Sequence, residues 1–254
     1  MAICRCINWR SLMGTLAAVL TLSYSMMVAG LTNAQQTKPL DCAVVSHFPP
    51  FIISRDGALT GISVEILRIA AQRSGRAIMI EEMPFQRALH RVTTQNDCMM
   101  PALFRTAPRE DQVVWLATYD AAELHFLTIG DPINTLDEGR TRSAIGVVKD
   151  SSGDTVLTSL GFENLVRVAS SSSNARMLNA GRIDAWVQSE RAARSIWAQL
   201  GLQTALQAGD PIHSVPMYAV AGPEFPVEVA DVYRTAIMNM VEDGTVAGIF
   251  AEFR

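Results

Sequence analysis

Cysteine, charge and basic runs are what this 254-residue chain has least of. Its four cysteines, Cys4, Cys6, Cys42 and Cys98, offer no close Cys/Cys or Cys/His pairing past the first few residues, which excludes zinc-finger spacing. The histidines, His47, His90, His125 and His213, are scattered without ligand spacing, so neither a metal nor a cofactor is expected. Lysine and arginine form no run and the net charge is −4, so the electrostatic footprint of a nucleic-acid or polybasic membrane binder is missing. No solenoid-type repeat is visible. What remains, 49% hydrophobic and 18% charged residues with 16 Gly and 11 Pro, excludes global disorder and a coiled coil and describes an ordinary globular chain.

The first 34 residues read differently from the rest. Arg5 and Arg10 precede an uncharged apolar stretch over 11–31, which ends at the small residues around Asn33 and Ala34 before a polar Gln35-Gln36. That is the layout of a secretory signal peptide over 1–34. A retained membrane anchor is the competing reading, because the stretch is just long enough to span. No cysteine follows the stretch directly, so a lipid anchor is not supported. Cleavage removes Cys4 and Cys6 with Arg5 and Arg10, takes the net charge from −4 to −6, and leaves Cys42 and Cys98 as the sole pair in a compartment where disulfides persist.

From residue 40 short apolar runs alternate with helical patterns, which predicts an α/β fold on a mostly parallel sheet. Strands are expected at 42–45, 77–80, 98–103 and 113–117, with helices around 62–74 and 85–92. A second set starts near 125–128, with strands at 144–148, 165–169 and 183–187 and helices from about 153, around 175–178 and over 189–200. A last strand at 215–220 leads into helices at 227–240 and 246–253, split by Gly244. Two α/β lobes of ordinary domain size fit this order.

Residues Phe48-Pro49-Pro50-Phe51, Pro84-Phe85-Gln86-Arg87-Ala88-Leu89, Arg105-Thr106-Ala107-Pro108-Arg109-Glu110, Gly181-Arg182-Ile183-Asp184-Ala185 and Glu242-Asp243-Gly244-Thr245 occur in that order. In this respect the chain resembles the amino-acid-type extracellular solute-binding proteins, bacterial family 3, with the type II periplasmic binding fold. Each motif alone is weak; the ordered set covers 40–254. The resemblance implies two lobes, each a mostly parallel sheet flanked by helices, joined by two hinge strands and closing on a small-molecule ligand. Lobe one would comprise 40–119 plus 221–254 and lobe two 120–220, with hinges around 119–123 and 216–220. It also implies a periplasmic monomer that serves the membrane permease of an ABC transporter, and adjacent strands that let Cys42 and Cys98 form a disulfide.

The site residues follow from the same resemblance. Arg109 would pair a ligand carboxylate through its planar guanidinium; the plainer alternative is a surface arginine paired with Glu110 or Asp111. Thr106 would add a hydroxyl and Leu103 an apolar contact. Ser151 and Ser152 open a helix after a strand, so Ser152 can support a carboxylate or the pair can simply cap the helix. Phe48 and Phe85 stand where the family presents an aromatic wall, with the core as the alternative. Met99 and Met100 read as strand filler. Family members that bind amino acids usually carry an aspartate where this chain has Ser189, with Glu190 one residue late, so an ordinary ammonium clamp is missing unless Glu190 supplies it.

Two functional classes remain. The first is a periplasmic binding protein, not an enzyme, that captures a small carboxylate-bearing solute, amino-acid-like or an organic acid. The alternatives are a dehydratase-like enzyme on the same scaffold, similar to cyclohexadienyl dehydratases, and a sensory binding subunit without a permease. The absence of a nucleophile elbow, a metal cluster or paired carboxylates at the matched positions favours binding.

Overall fold

The computed structural model describes residues 40–253 apart from Asp56 and Asn96, so the expected signal segment lies outside the described residues. The first half runs β1 (Leu40–Val45), the hairpin β2 (Ile53–Arg55) and β3 (Ala58–Thr60), α1 (Ile62–Arg73), β4 (Ala77–Glu82), α2 (Phe85–Thr94) and β5 (Met99–Phe104). Next come β6 (Val114–Thr128), α3 (Leu136–Arg140), β7 (Ile145–Val148), α4 (Ser152–Ser159), β8 (Leu165–Val168), α5 (Ser171–Asn179), β9 (Ala185–Ser189) and α6 (Glu190–Gln199). The chain ends with β10 (Gln207–Ala208), β11 (His213–Ala221), α7 (Val227–Glu242) and α8 (Thr245–Glu252). Among the described residues no helix is long and apolar enough to cross a membrane.

The strand order is β4-β1-β5-β11-β6-β9-β7-β8, with β10 on β6. Both flanks are parallel, β1 with β4 and β5, and β7 with β8 and β9. The centre is antiparallel, because β11 lies between β5 and β6, and β6 also pairs β9. The expected runs at 113–117 and 125–128 are therefore one continuous 15-residue strand, β6. Its polar middle interrupts the apolar pattern and hides the continuity from sequence reading. Where β6 meets β11 the register shifts between Met217 and Tyr218 and again between Ala219 and Val220, so the crossing between lobes is bulged.

Burial explains why these segments take these forms. Ala43, Val44 and Val45 of β1 are fully buried, as a strand covered on both faces requires. In the second lobe Phe126, Ile145, Val147, Ala185 and Val187 pack on one face. Their neighbours Leu127 and Trp186 pack on the other, with Leu178, Ile183 and Trp197. Side chains that alternate sides along a strand produce this division. After β11 the chain returns to the first lobe, where Tyr233, Ile237 and Met240 of α7 and Val246 and Ile249 of α8 join Ile62, Ile66 and Met99 in one core. Tyr233 also donates its hydroxyl to Asp41 (2.8 Å), which Arg76 grips with two nitrogens at 2.5 and 2.7 Å.

Two local features fix the start of the first lobe. Gly61 precedes α1 with φ 117°, and a Cβ there would lie 2.5 Å from the Phe51 carbonyl oxygen, so only glycine fits. Cys42 and Cys98 form a disulfide with their Cα atoms 4.6 Å apart, and the adjoining residues Ala43 and Met99 pair across β1 and β5.

Candidate functional site

A cavity of about 620 Å³ lies between the lobes at the carboxyl ends of the parallel strands. The first lobe contributes Phe48, Glu82, Met83, Phe85, Met100, Leu103, Phe104 and Arg109. The second contributes Val148, Ser151, Ser152, Gly153, the serines 170–172, Val187 and Gln188. Crevices of this volume at strand ends are where open α/β sheets take small molecules.

Arg109 gets there through a short 3-10 turn, Ala107–Arg109, that follows β5 and carries Pro108 near its start. The turn closes with Arg109 N donating to Thr106 O (2.9 Å) and swings the side chain back towards the sheet. Arg109 is 4% exposed, and its guanidinium is held from both lobes. It donates to the carbonyl oxygen of Phe104 (2.7 Å) in its own lobe and to that of Asp150 in the other, and lies 5.8 Å from the centre of the Phe85 ring. Burial pulls its pKa down to about 10, only partly offset by Asp150. The alternative of a surface pair with Glu110 does not arise, because Arg105 holds Glu110 at 2.7 and 2.9 Å. Arg105 also lies over the rings of Trp115 and Tyr218.

Across from it, Ser151 caps α4, its hydroxyl accepting from Asp154 N at 3.4 Å. The N–H groups of Ser152 and Gly153 have no acceptor within the helix. Ser152 is 4% exposed, lines the cavity, and its hydroxyl has no hydrogen-bond partner among the described residues. The Asp154 carboxylate at the same helix end is engaged with Arg167 (2.9 Å). Arg109, Ser151 and Ser152 thus form a region of positive potential in a largely apolar enclosure.

The aromatic walls are Phe48 and Phe85, both half-buried. Phe48 stacks on Phe51 (centroids 5.2 Å) and meets Phe104 edge-on (5.9 Å). Six of the nine residues singled out from the sequence line the cavity: Phe48, Phe85, Leu103, Arg109, Ser151 and Ser152. The other three do not. Thr106 and Ser189 are buried beside it with hydroxyls that have no partner, and Glu190 sits in the first turn of α6 and pairs with Arg194 at 2.6 Å. Sequence reading missed Met83, Phe104, Gln188 and the serines 170–172, and took Met100 for filler. Met83 and the serines 170–172 come just after strands, Phe104 ends β5 and Gln188 stands one residue from the end of β9, and that position is the signal that could have found them; Met100, the second residue of β5, carries no such mark. Among the described residues no group of three or more His, Cys, Asp and Glu side chains could hold a metal ion.

A family model described as bacterial extracellular solute-binding proteins, family 3, matches residues 40–253. No curated protein matches the chain. Among solved structures it is similar to a histidine kinase sensor domain with similarity to periplasmic binding proteins (TM-score 0.79, 16% identity, covering 86% of this chain and 97% of that one). It is also similar to an ancestral arginine-binding protein bound to arginine (TM-score 0.75, 19% identity, covering 86% and 99%). A third is the arginine-, lysine-, histidine-binding protein ArtJ from Geobacillus stearothermophilus (TM-score 0.73, 19% identity, covering 85% and 94%). At these identities the likeness shows the fold alone.

Proposed function

Because the chain belongs to the bacterial extracellular solute-binding proteins of family 3, we propose that it captures a small carboxylate-bearing solute in the periplasm and delivers it to the permease of an ABC transporter. The observation that carries the carboxylate is the Arg109 guanidinium on the cavity wall. It is buried, its two hydrogen bonds go to neutral carbonyls, and no carboxylate among the described residues forms an ion pair with it. A charge so placed is costly to desolvate, and an anion with two oxygens in one plane offsets that cost best. The free hydroxyl of Ser152 and the N–H groups that open α4 supply further donors for the same oxygens. Lobe one at 40–119 plus 221–254 and lobe two at 120–220, closing about the two crossing strands, complete the reading.

A thermal-shift screen of the mature chain against amino acids, 2-oxo acids, dicarboxylates and polyamines tests it, since a solute that binds the folded state raises its melting temperature. Carboxylates are expected to give shifts and polyamines none. Replacing Arg109→Ala should then cost about 2 to 5 kcal/mol of binding by calorimetry, as for loss of one partner of a buried charge pair. Shifts from polyamines alone, or an Arg109→Ala protein that binds carboxylates as well as the parent, would overturn the assignment.

A further inference from the structure

We infer that the solute is a carboxylate with a bulky aryl or branched apolar tail and no cationic group, a deaminated counterpart of an apolar amino acid; this rests on the carboxylate capture proposed above. The cavity is divided in character. Arg109 and the opening of α4 supply its positive and donor-rich part, whereas Phe48, Phe85, Phe104, Met83, Met100 and Leu103 make an apolar wall drawn from two packed clusters of the first lobe. Phe48 meets Phe104 edge-on, and Phe85 lies beside the Arg109 guanidinium, so the wall begins where the carboxylate would sit. Aromatic and thioether side chains of this kind hold large apolar groups and give a polar tail nothing to bond.

Among the described residues the same cavity has no buried carboxylate to pair an ammonium. Ser189 is sealed off the cavity, and Glu190 is held by Arg194. At the neighbouring lining position Gln188 is neutral, its carbonyl oxygen accepting from Ser189 N (2.8 Å) and its amide donating to the Ser171 hydroxyl (3.3 Å). Among the described residues the one carboxylate on the lining is Glu82, and it is exposed. A solvated carboxylate holds a cation weakly, while a buried ammonium facing neutral groups loses its hydration for little return. An α-amino group is therefore a liability in this cavity, and a large apolar tail is an asset.

Calorimetry on the mature chain with matched pairs tests this: 3-phenylpropionate against L-phenylalanine, 4-methylpentanoate against L-leucine, and propionate as the short acid. Each tailed acid should bind at least about tenfold tighter than its amino-acid partner and than propionate. Gln188→Glu places a carboxylate on the lining and should shift the phenyl pair towards L-phenylalanine. An amino acid that binds as tightly as its deaminated partner, or a pair ratio that Gln188→Glu leaves unmoved, would overturn the uncharged-head claim while carboxylate capture stood. Propionate as tight as 3-phenylpropionate would overturn the tail claim. Binding of 2-phenylethylamine with silence from every acid would instead overturn the carboxylate reading itself.

Discussion

Arg109 shows how much a single side chain can carry and how little of its setting is written nearby. Its guanidinium is pulled down to about 10 by burial and yet stays charged at neutral pH. An anionic solute prefers the protonated form, so affinity for a carboxylate should be flat from neutrality to about pH 10 and fall above it, as the free protein gives up the proton. Dissociation constants measured across that range check this; a decline already under way near neutral pH would mean that another group carries the charge. The motif Arg105-Thr106-Ala107-Pro108-Arg109-Glu110 and the resemblance it supports single out Arg109, and the structure sets it on the cavity. The bond to Asp150 was not legible, because it joins residues 41 apart that meet only when the lobes do. Ser189 and Glu190 stand off the lining for a related reason: at the step from β9 to α6 the chain changes period, and Val187 and Gln188 are the residues of that step on the cavity.

At the scale of elements, compact signals were read well and long-range ones were not. Gly244 was legible as the break between the last two helices, and it stands there with φ 81° in the left-handed region. What the glycine alone does not reveal is the residue before it. Asp243 accepts from the Thr245 hydroxyl (2.5 Å), from Arg73 and from Thr245 N (2.9 Å), tying α7, α8 and α1 together. These bonds, the Thr245 hydroxyl first and Arg73 next, hold its carboxyl at about 2, below the ordinary 3.8. A lowered carboxylate pKa stabilises the fold above the ordinary value and loses that contribution as pH falls through the lowered one. Asp243→Ala should therefore melt below the parent at neutral pH, and the gap should close between about 4 and about 2. A gap that persists in acid would assign the effect to packing. By contrast, the length of β6 is not legible in the sequence because a strand that passes from one lobe to the other has a polar, partly exposed middle, whereas its last five residues, 124–128, are buried in an unbroken run and read as a separate strand.

For the whole molecule, the restart of the α/β pattern near residue 125 was enough to reveal two lobes, since each must bury its own sheet under its own helices. That both sheets form one ladder through β11 and β6 was not legible, because strands more than 80 residues apart pair there: His213 opposes Leu124 and Ala221 opposes Val114. The lobes also touch through protein atoms alone. Gln86 donates to the Lys149 carbonyl (2.9 Å), His47 Nε2 lies 3.1 Å from Gln199 Oε1, and Arg109 reaches the Asp150 carbonyl. Such contacts have a kinetic consequence. A cleft that latches on itself admits solute only after it opens, so the observed association rate should climb with solute concentration and then level off at the rate of opening. Gln86 does not line the cavity and serves only the latch, so Gln86→Ala should raise that ceiling while leaving the half-life of the filled cleft shorter, not longer. Stopped-flow traces whose rate grows linearly at every concentration would mean that the latch opens faster than solute arrives.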